Sequence, residues 1–209
     1  ILATLLQVHM ATSMLRPSGK IEIMLHTACV RAGAFAIAHG IIDRFPLAKP
    51  FLAKPVMQSL AKNSPLRIQK QLIKDIYKQH GLKPANWESS AIIAVTESSS
   101  GQLVDFRQLE RKLRNSLGDP LAGWLLKAAP LAQWAPEMVA VVARTWAIGR
   151  YADSIGRIRK LGSDMLPAPM AKNLKLPATL LWHWTEEAFE LALPVLGKIH
   201  AAGSRIRHG

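Results

Sequence analysis

A segment with clear helix signals at both ends, residues 64 to 81, constrains the fold of this chain more than any other. It reads SPLRIQKQLIKDIYKQHG: Ser64 suits the N-cap, Pro65 the first helical position, and Gly81 the left-handed residue that ends helices. At 100° per residue, four apolar side chains fall on one face: Ile68, Leu72, Ile73 and Ile76. The segment is therefore predicted to form an amphipathic helix that packs on a core.

The opposite face of this helix carries a row of basic residues: Arg67, Lys70, Lys74 and Lys78. Asp75 is the acid near this row, and the stretch from Asp43 to Lys83 contains nine Lys or Arg against two acids. A row of like charges is typical of a solvated helix face and also of a binding surface for an anion. Both interpretations stay open from the residues alone.

The composition of the whole chain extends this charge bias. The 209 residues have a net charge of +13 and are 49% hydrophobic, which suits a helical domain with a real interior and an affinity for polyanions. Nucleic acid, anionic lipid and acidic proteins all satisfy that charge. The single cysteine, Cys29, excludes an internal disulfide and lies among apolar residues, so a buried, reduced thiol is predicted.

Helical patterns follow one another along the chain, without strand alternation or hairpin turns. We expect helices over 1–15, 20–42, 65–80, 83–101, 105–118 and 136–161, a short one after Pro120, and a last one kinked at Pro194. The predicted fold is all-α, a compact bundle of about six to eight helices with no significant sheet. We expect a helical core domain over 1–162, a Pro-rich linker over 163–178, and a C-terminal helix with a basic tail over 179–209.

Membrane-spanning helices are not expected from the hydropathy pattern. No uncharged apolar run reaches the length of about 18 to 20 residues that a span requires. The start at Ile1 leaves a targeting segment or an upstream domain open.

Catalytic motifs are missing from the sequence. There is no glycine-rich phosphate loop, and the serines of residues 97–102 lack the context of a nucleophile elbow. His183 lies near Glu186, Glu187 and Glu190, but the paired motifs of a metal-binding bundle are absent. We therefore predict no enzymatic activity, no catalytic residue, no metal and no cofactor.

Three stretches together resemble a bacterial helical domain of unknown function that often follows Era-like GTPase domains, with a more distant likeness to EcsC-like proteins. They are IEIMLHTACVRAGAFAIAHGIIDRFPLAKP, LRIQKQLIKDIYKQHGL and LLKAAPLAQWAPEMVAVVARTWAIGRYADSI, and the likeness covers about residues 20 to 161. The positions that match the family pattern are Asp43, Gln69, Tyr77, Gly81, Trp146, Gly149 and Arg150. The resemblance implies a peripheral or integral membrane location and a GTPase or transport assembly as partner, with no catalytic residues.

The function predicted from these features is that of a non-catalytic accessory or scaffold module. It would associate with an anionic surface at the cytoplasmic face of a membrane or with acidic partner subunits, which could include a GTPase or a membrane complex. The residues predicted to bind are Lys49, Lys54, Arg67, Lys70, Lys74, Lys78, Arg157, Arg159 and Lys160. Two alternatives remain: a nucleic-acid-binding helical protein, and a lipid-like small-molecule binding protein or enzyme with an apolar pocket between helices.

Overall fold

The computed structural model describes residues 19–44, 63–96, 130–162 and 176–208, and a few positions elsewhere: 58, 107, 110–111, 114–115, 118, 122–123 and 126–127. In this described part, five helices have defined bounds and no strand occurs, which confirms the all-α prediction. The helices are α1 (Lys20–Ile42), α2 (Pro65–Gln79), α3 (Asn86–Thr96), α4 (Leu131–Lys160) and α5 (Ala178–His208).

Helix α1 is the central element, because α2, α4 and α5 all pack against it. Its many small residues allow close approach of the neighbouring helices. A Cβ atom added at Gly33 would lie 2.8 Å from both the Cβ of Ala188 on α5 and a methyl group of Val142 on α4. Glycine at this position therefore sets the distance at which three helices meet.

Two apolar clusters fill the space around α1 and α4. One joins the C-terminal half of α1 to the first half of α4 and to α5, with Ile37, Trp134 and Phe189 among its buried side chains. The other joins the N-terminal half of α1 to α2, α3 and the second half of α4, and it includes Leu72 and Ile155. Because α1 and α4 contribute to both clusters, they connect the two ends of the packed structure.

The ends of α2 follow the sequence signals with one exception. Pro65 is at the first helical position, and Gly81 has the positive φ of 75° expected after a helix end. Ser64 occupies the N-cap, but its side chain makes no capping hydrogen bond. The predicted side-chain cap is therefore wrong, although the start of the helix is correct.

Three helix starts differ from the predictions, and the first is α3, which begins at Asn86 instead of residue 83. Helix α4 begins at Leu131 and includes Pro136, which lacks the N–H that would bond to the preceding turn. Proline is tolerated there because a long helix retains the hydrogen bonds on either side. Helix α5 begins at Ala178 and continues through Pro194 to His208, so the residues predicted as a basic tail are helical as far as His208. Its buried residues, such as Trp184 and Phe189, share a core with α1 and α4.

Several predicted segments lie outside the described residues. They are the helix over 1–15, the last part of the helix over 83–101, most of the helix over 105–118 and most of the linker over 163–178.

Helix α1 is also long and apolar enough, by length and composition, to cross a membrane, with a mean hydropathy of 1.4. The expectation of no membrane-spanning helix rests on the lack of an uncharged run, whereas this criterion admits Glu22 and Arg31, so the expectation stays a prediction. Of the 18-residue stretch of α1 that meets this criterion, 56% is buried inside the protein. Core helices of soluble proteins pass the same test, so the criterion carries no conclusion about membrane insertion.

Candidate functional site

The basic row of α2 is exposed along its whole length. Arg67, Lys70, Lys74 and Lys78 all face solvent, and none of them forms an ion pair with another residue that the structure describes. The neighbouring Asp75 is half-buried and accepts a hydrogen bond of 2.8 Å from the Nε2 of Gln71. The four cations are therefore oriented outward by the same periodicity that buries Ile68, Leu72, Ile73 and Ile76.

The other predicted binding residues have different surroundings. Lys49 and Lys54 lie outside the described residues. Arg157 is exposed and pairs with the buried Asp153 at 2.9 Å, and Lys160 is exposed at the end of α4. Arg159 points inward, where it forms an ion pair with Glu88 of α3 and places its guanidinium 6.0 Å from the ring centre of Tyr77.

An open groove lies along the contact between α1 and α2, and we call it the first groove. Its volume is about 590 Å³. Its floor is apolar and consists of Ile23, Met24, Ala28, Ile68 and Leu72. Its polar wall contains four cations and one carboxylate: Arg31, Arg67, Lys70, Lys74 and Asp75. Arg67, Lys70 and Lys74 of the basic row therefore lie next to an apolar surface.

Arg31 is a member of this groove that the sequence analysis did not select. It is exposed on α1, and its Nη2 donates a hydrogen bond to the Oδ1 of Asn63, just before α2. The signal that could have identified it is the residue itself: Arg31 is the one Asp, Glu, Lys or Arg between Ile23 and Ile42, and a charged side chain in an apolar helix has to reach solvent or a partner.

A second groove lies between α1 and α5, with a volume of about 340 Å³. Arg31 lines this groove too, together with Asn63. The remaining lining residues are apolar: Ala34, Phe35, Ala38, Leu191, Ala192 and Val195. Leu191 is 52% exposed, so much of its side chain is open to solvent at this groove.

Most positions that match the resembled family lie where α2 packs on α4 or beside that contact. The buried Gln69 donates a hydrogen bond of 3.1 Å to the hydroxyl of Thr145, which in turn donates to the carbonyl oxygen of Val141 at 2.7 Å. At Gly149, a Cβ atom would collide with Leu25 and would approach Leu72 to 3.0 Å. These residues hold the helices together, so their pattern is explained by packing.

Arg150 follows Gly149 on α4 and is half-buried. Its Nη1 donates to the carboxylate of Glu22 at 3.0 Å, and its guanidinium lies 5.8 Å from the ring centre of Trp146. Both partners are protein groups, which again explains the residue structurally.

The histidines and glutamates of α5 join α5 to α1. One oxygen of Glu187 lies 2.5 Å from Nε2 of His26 on α1, and the other lies 2.9 Å from Nε2 of His183. The ring of His26 also meets the ring of Trp184 edge-on, with 5.4 Å between the ring centres. Within the described ranges, no group of three or more His, Cys, Asp or Glu is arranged to hold a metal ion.

The cysteine is buried as predicted. Cys29 has no solvent exposure, and burial raises the pKa of its thiol well above the ordinary value. The thiol is therefore neutral at physiological pH and is not activated as a nucleophile.

The chain matches no family model, no curated protein and no solved structure. The resemblance to the GTPase-associated helical domain stays a prediction, and the function is inferred from the geometry of the described side chains.

Proposed function

We propose that this chain is a non-catalytic helical module that docks on an anionic membrane surface through the exposed basic row of α2. The observation that carries this proposal is the row itself: Arg67, Lys70, Lys74 and Lys78 face solvent without an ion pair to any described residue. From Arg67 to Lys78 the row extends about 16 Å along the helix, at 1.5 Å per residue. It is long enough to contact several lipid head groups at once.

The expected strength of this association is modest. A Lys or Arg near an anionic leaflet contributes about 1 kcal/mol, so four such residues would give about 4 kcal/mol. This corresponds to a dissociation constant of about 1 mM. The exposed Ile23 and Leu66 near the row would add apolar contact with the interfacial region. A reversible peripheral association at the cytoplasmic face, as part of a larger assembly, fits this strength.

Nucleic acid and acidic partner proteins would be attracted by the same charge. The apolar floor beside the basic row favours lipid, because a phosphate backbone offers no apolar surface to cover Ile23 or Met24. Duplex DNA is therefore the competing ligand in the test.

We also propose that the complete chain has six to eight helices. Beyond the five with defined bounds, helical residues occur at 107, 110–111, 114–115, 122–123 and 126–127. Gly118, between them, has the positive φ of 73° that is common where a helix ends. One or two further helices in this segment would bring the total into the proposed range.

The test is flotation of the protein with phosphatidylglycerol and phosphatidylcholine vesicles. The wild-type chain should float with the anionic vesicles alone, and reversal of Arg67, Lys70, Lys74 and Lys78 to Glu should abolish flotation because the row then repels the surface. A matched control reverses four exposed cations elsewhere: Lys20, Arg111, Lys127 and Lys198. Both variants have a net charge of +5, since each reversal subtracts two from +13.

The control separates a specific face from total charge. It should keep most of the flotation, and equal loss in both variants would show that the position of the charges is irrelevant. Salt-dependent binding to duplex DNA, with no flotation of the wild-type chain, would replace the membrane proposal with the nucleic-acid alternative.

A further inference from the structure

A stripe of four residues on α1, Ile23, Thr27, Arg31 and Phe35, connects the two grooves. Ile23, Thr27 and Arg31 lie in the first groove, and Arg31 and Phe35 lie in the second. The stripe passes between α2 on one side and α5 on the other, and its residues recur every fourth position. Arg31 stands at the junction and lines both grooves.

The two grooves differ in chemistry. The first has Arg31, Arg67, Lys70 and Lys74 against Asp75, so it presents an excess of positive charge. In the second, the residues beyond Arg31 and Asn63 are apolar. A cationic end and an apolar end thus follow each other along one helix.

We propose that the two grooves together bind one anionic amphiphile. The acidic head group lies in the first groove against Arg31, Arg67 and Lys70, and the hydrocarbon chain lies in the second groove along Phe35 and Leu191. This inference rests on the proposed function, because the first groove borders the same basic row of α2, and it adds the class of molecule recognised there.

The dimensions of the grooves favour an amphiphile over a docked helix. The volumes of about 590 and 340 Å³ fall within the range of small-molecule sites, about 300 to 1,000 Å³. A helix docked in the first groove would leave the apolar second groove empty, whereas an amphiphile with a head group and a hydrocarbon chain occupies both grooves.

The apolar second groove gives the hydrocarbon chain a measurable role. Each methylene group that leaves water increases the binding constant about four-fold. The affinity for a head group with a chain should therefore greatly exceed the affinity for the head group alone.

Titration calorimetry with decyl phosphate, below its critical micelle concentration, tests the inference. Decyl phosphate should bind, decyl maltoside should bind at least about ten-fold more weakly because its head is uncharged, and inorganic phosphate should give no saturable heat. If decyl maltoside bound as tightly as decyl phosphate, the cations would not contribute to recognition. If inorganic phosphate bound as tightly as decyl phosphate, the second groove would not contribute. No binding of decyl phosphate would overturn the inference directly.

Two single substitutions separate this inference from membrane docking. Leu191→Glu places a charge in the second groove, so it should weaken decyl phosphate binding at least about ten-fold and leave vesicle flotation unchanged. Lys78→Glu lies outside both grooves, so it should leave decyl phosphate binding unchanged and weaken vesicle association about five-fold or more.

The pattern of results identifies which proposal fails. Unchanged decyl phosphate binding by L191E overturns the two-groove site and leaves membrane docking intact. Unchanged vesicle association in K78E and in the four-residue variant overturns the membrane proposal and leaves the two-groove site intact. Arg31→Gln is a second probe, at an exposed position, and it should also weaken decyl phosphate binding at least about ten-fold.

Discussion

Tyr77 lies fully inside the contact between α2 and its neighbours, and its hydroxyl has no hydrogen-bond partner among the residues that the structure describes. Burial, reinforced by the negative charge of Glu88 and only partly offset by Arg159, raises the pKa of Tyr77 to about 12. The second tyrosine of the chain, Tyr151, also has a raised pKa because of burial. We therefore expect both phenols of the folded chain to stay neutral at the pH where a free tyrosine ionises.

Replacement of Tyr77 by Phe should increase the relative stability of the folded state more at alkaline pH than at neutral pH. Near pH 7 the variant should be as stable as wild type or about 1 kcal/mol more stable, because an unpaired buried hydroxyl is removed. In the wild type, the folded state favours the neutral phenol, so the contribution of Tyr77 is present below pH 10 and is lost as the pH rises toward 12. The advantage of Y77F should therefore grow above pH 10.

Urea denaturation at neutral and alkaline pH measures this difference, and the ultraviolet absorbance of phenolate reports the titration itself. A loss of more than about 1 kcal/mol in Y77F near pH 7 would indicate a hydrogen-bond partner for the hydroxyl.

At the residue scale, periodicity predicts whether a side chain is buried but not what it touches. The burial of Leu72 and the exposure of Lys74 follow from positions on one helix. Arg159 belongs to a basic helix end that was predicted to bind an anionic surface or an acidic partner, yet it pairs with Glu88, more than 70 positions earlier in the chain. Nothing local to α4 reveals that partner.

Helix α3 has only 11 residues, and an isolated helix of this length is marginal in water. Glu88 stabilises it in two ways. Its Oε2 accepts a hydrogen bond of 2.6 Å from the backbone N–H of Ala85, and its other oxygen pairs with Arg159 of α4. The carboxylate is only 4% exposed, so the ion pair is a tether between two helices inside the protein.

Replacement of Glu88 by Ala should detach α3. Removal of one partner from a buried ion pair costs about 3 kcal/mol, at the lower end of the usual range because the side chain of Arg159 is still 21% exposed. Amide hydrogen exchange should become faster across α3 and change little in α4. The matched control is Glu110→Ala, which breaks an exposed pair with Arg114 and should cost no more than about 0.5 kcal/mol. Equal effects of the two substitutions would contradict the tether.

At the scale of the element, the sequence predicts that each of these helices exists, but it does not always predict the residue at which a helix begins. Pro65 and Gly81 mark the ends of α2 correctly. Pro136 has the same chemistry as Pro65, but it lies inside α4, because the preceding residues already form a turn that begins after Pro130. A proline is compatible with both positions, and the residues around it do not distinguish them.

For the whole molecule, the net charge of +13 is a source of self-repulsion as well as of attraction to anions. An increase in NaCl from about 10 to about 150 mM reduces the Debye length from about 30 to about 8 Å. The melting temperature should therefore rise by a few degrees over this range, while flotation with anionic vesicles should weaken.

Calorimetry and flotation at the two salt concentrations measure the two effects. The four-residue α2 variant has a net charge of +5, so its melting temperature should respond less to salt. A melting temperature that falls with salt would mean that ion pairs such as Arg150–Glu22 outweigh the repulsion.

The arrangement of helices is the part of the molecule that the sequence leaves open. An all-α fold follows from periodicity, but both grooves depend on α1 lying between α2 and α5. That arrangement is fixed by contacts between residues far apart in the chain, such as His26 with Glu187. For this reason the sequence of one helix is enough to select Arg67, Lys70 and Lys74. It is not enough to predict that Arg31 and Leu191 line the grooves.

The central position of α1 has a consequence for how the chain is made. Its main partners, α4 and α5, begin at residues 131 and 178, long after α1 itself has been translated. At about 5 to 20 residues per second, the ribosome needs roughly 6 to 24 s to extend the chain from the end of α1 to the end of α4. During that interval α2 is the native partner that α1 already has, and the surface of α1 that α4 and α5 later cover stays open to chaperones that act on emerging chains.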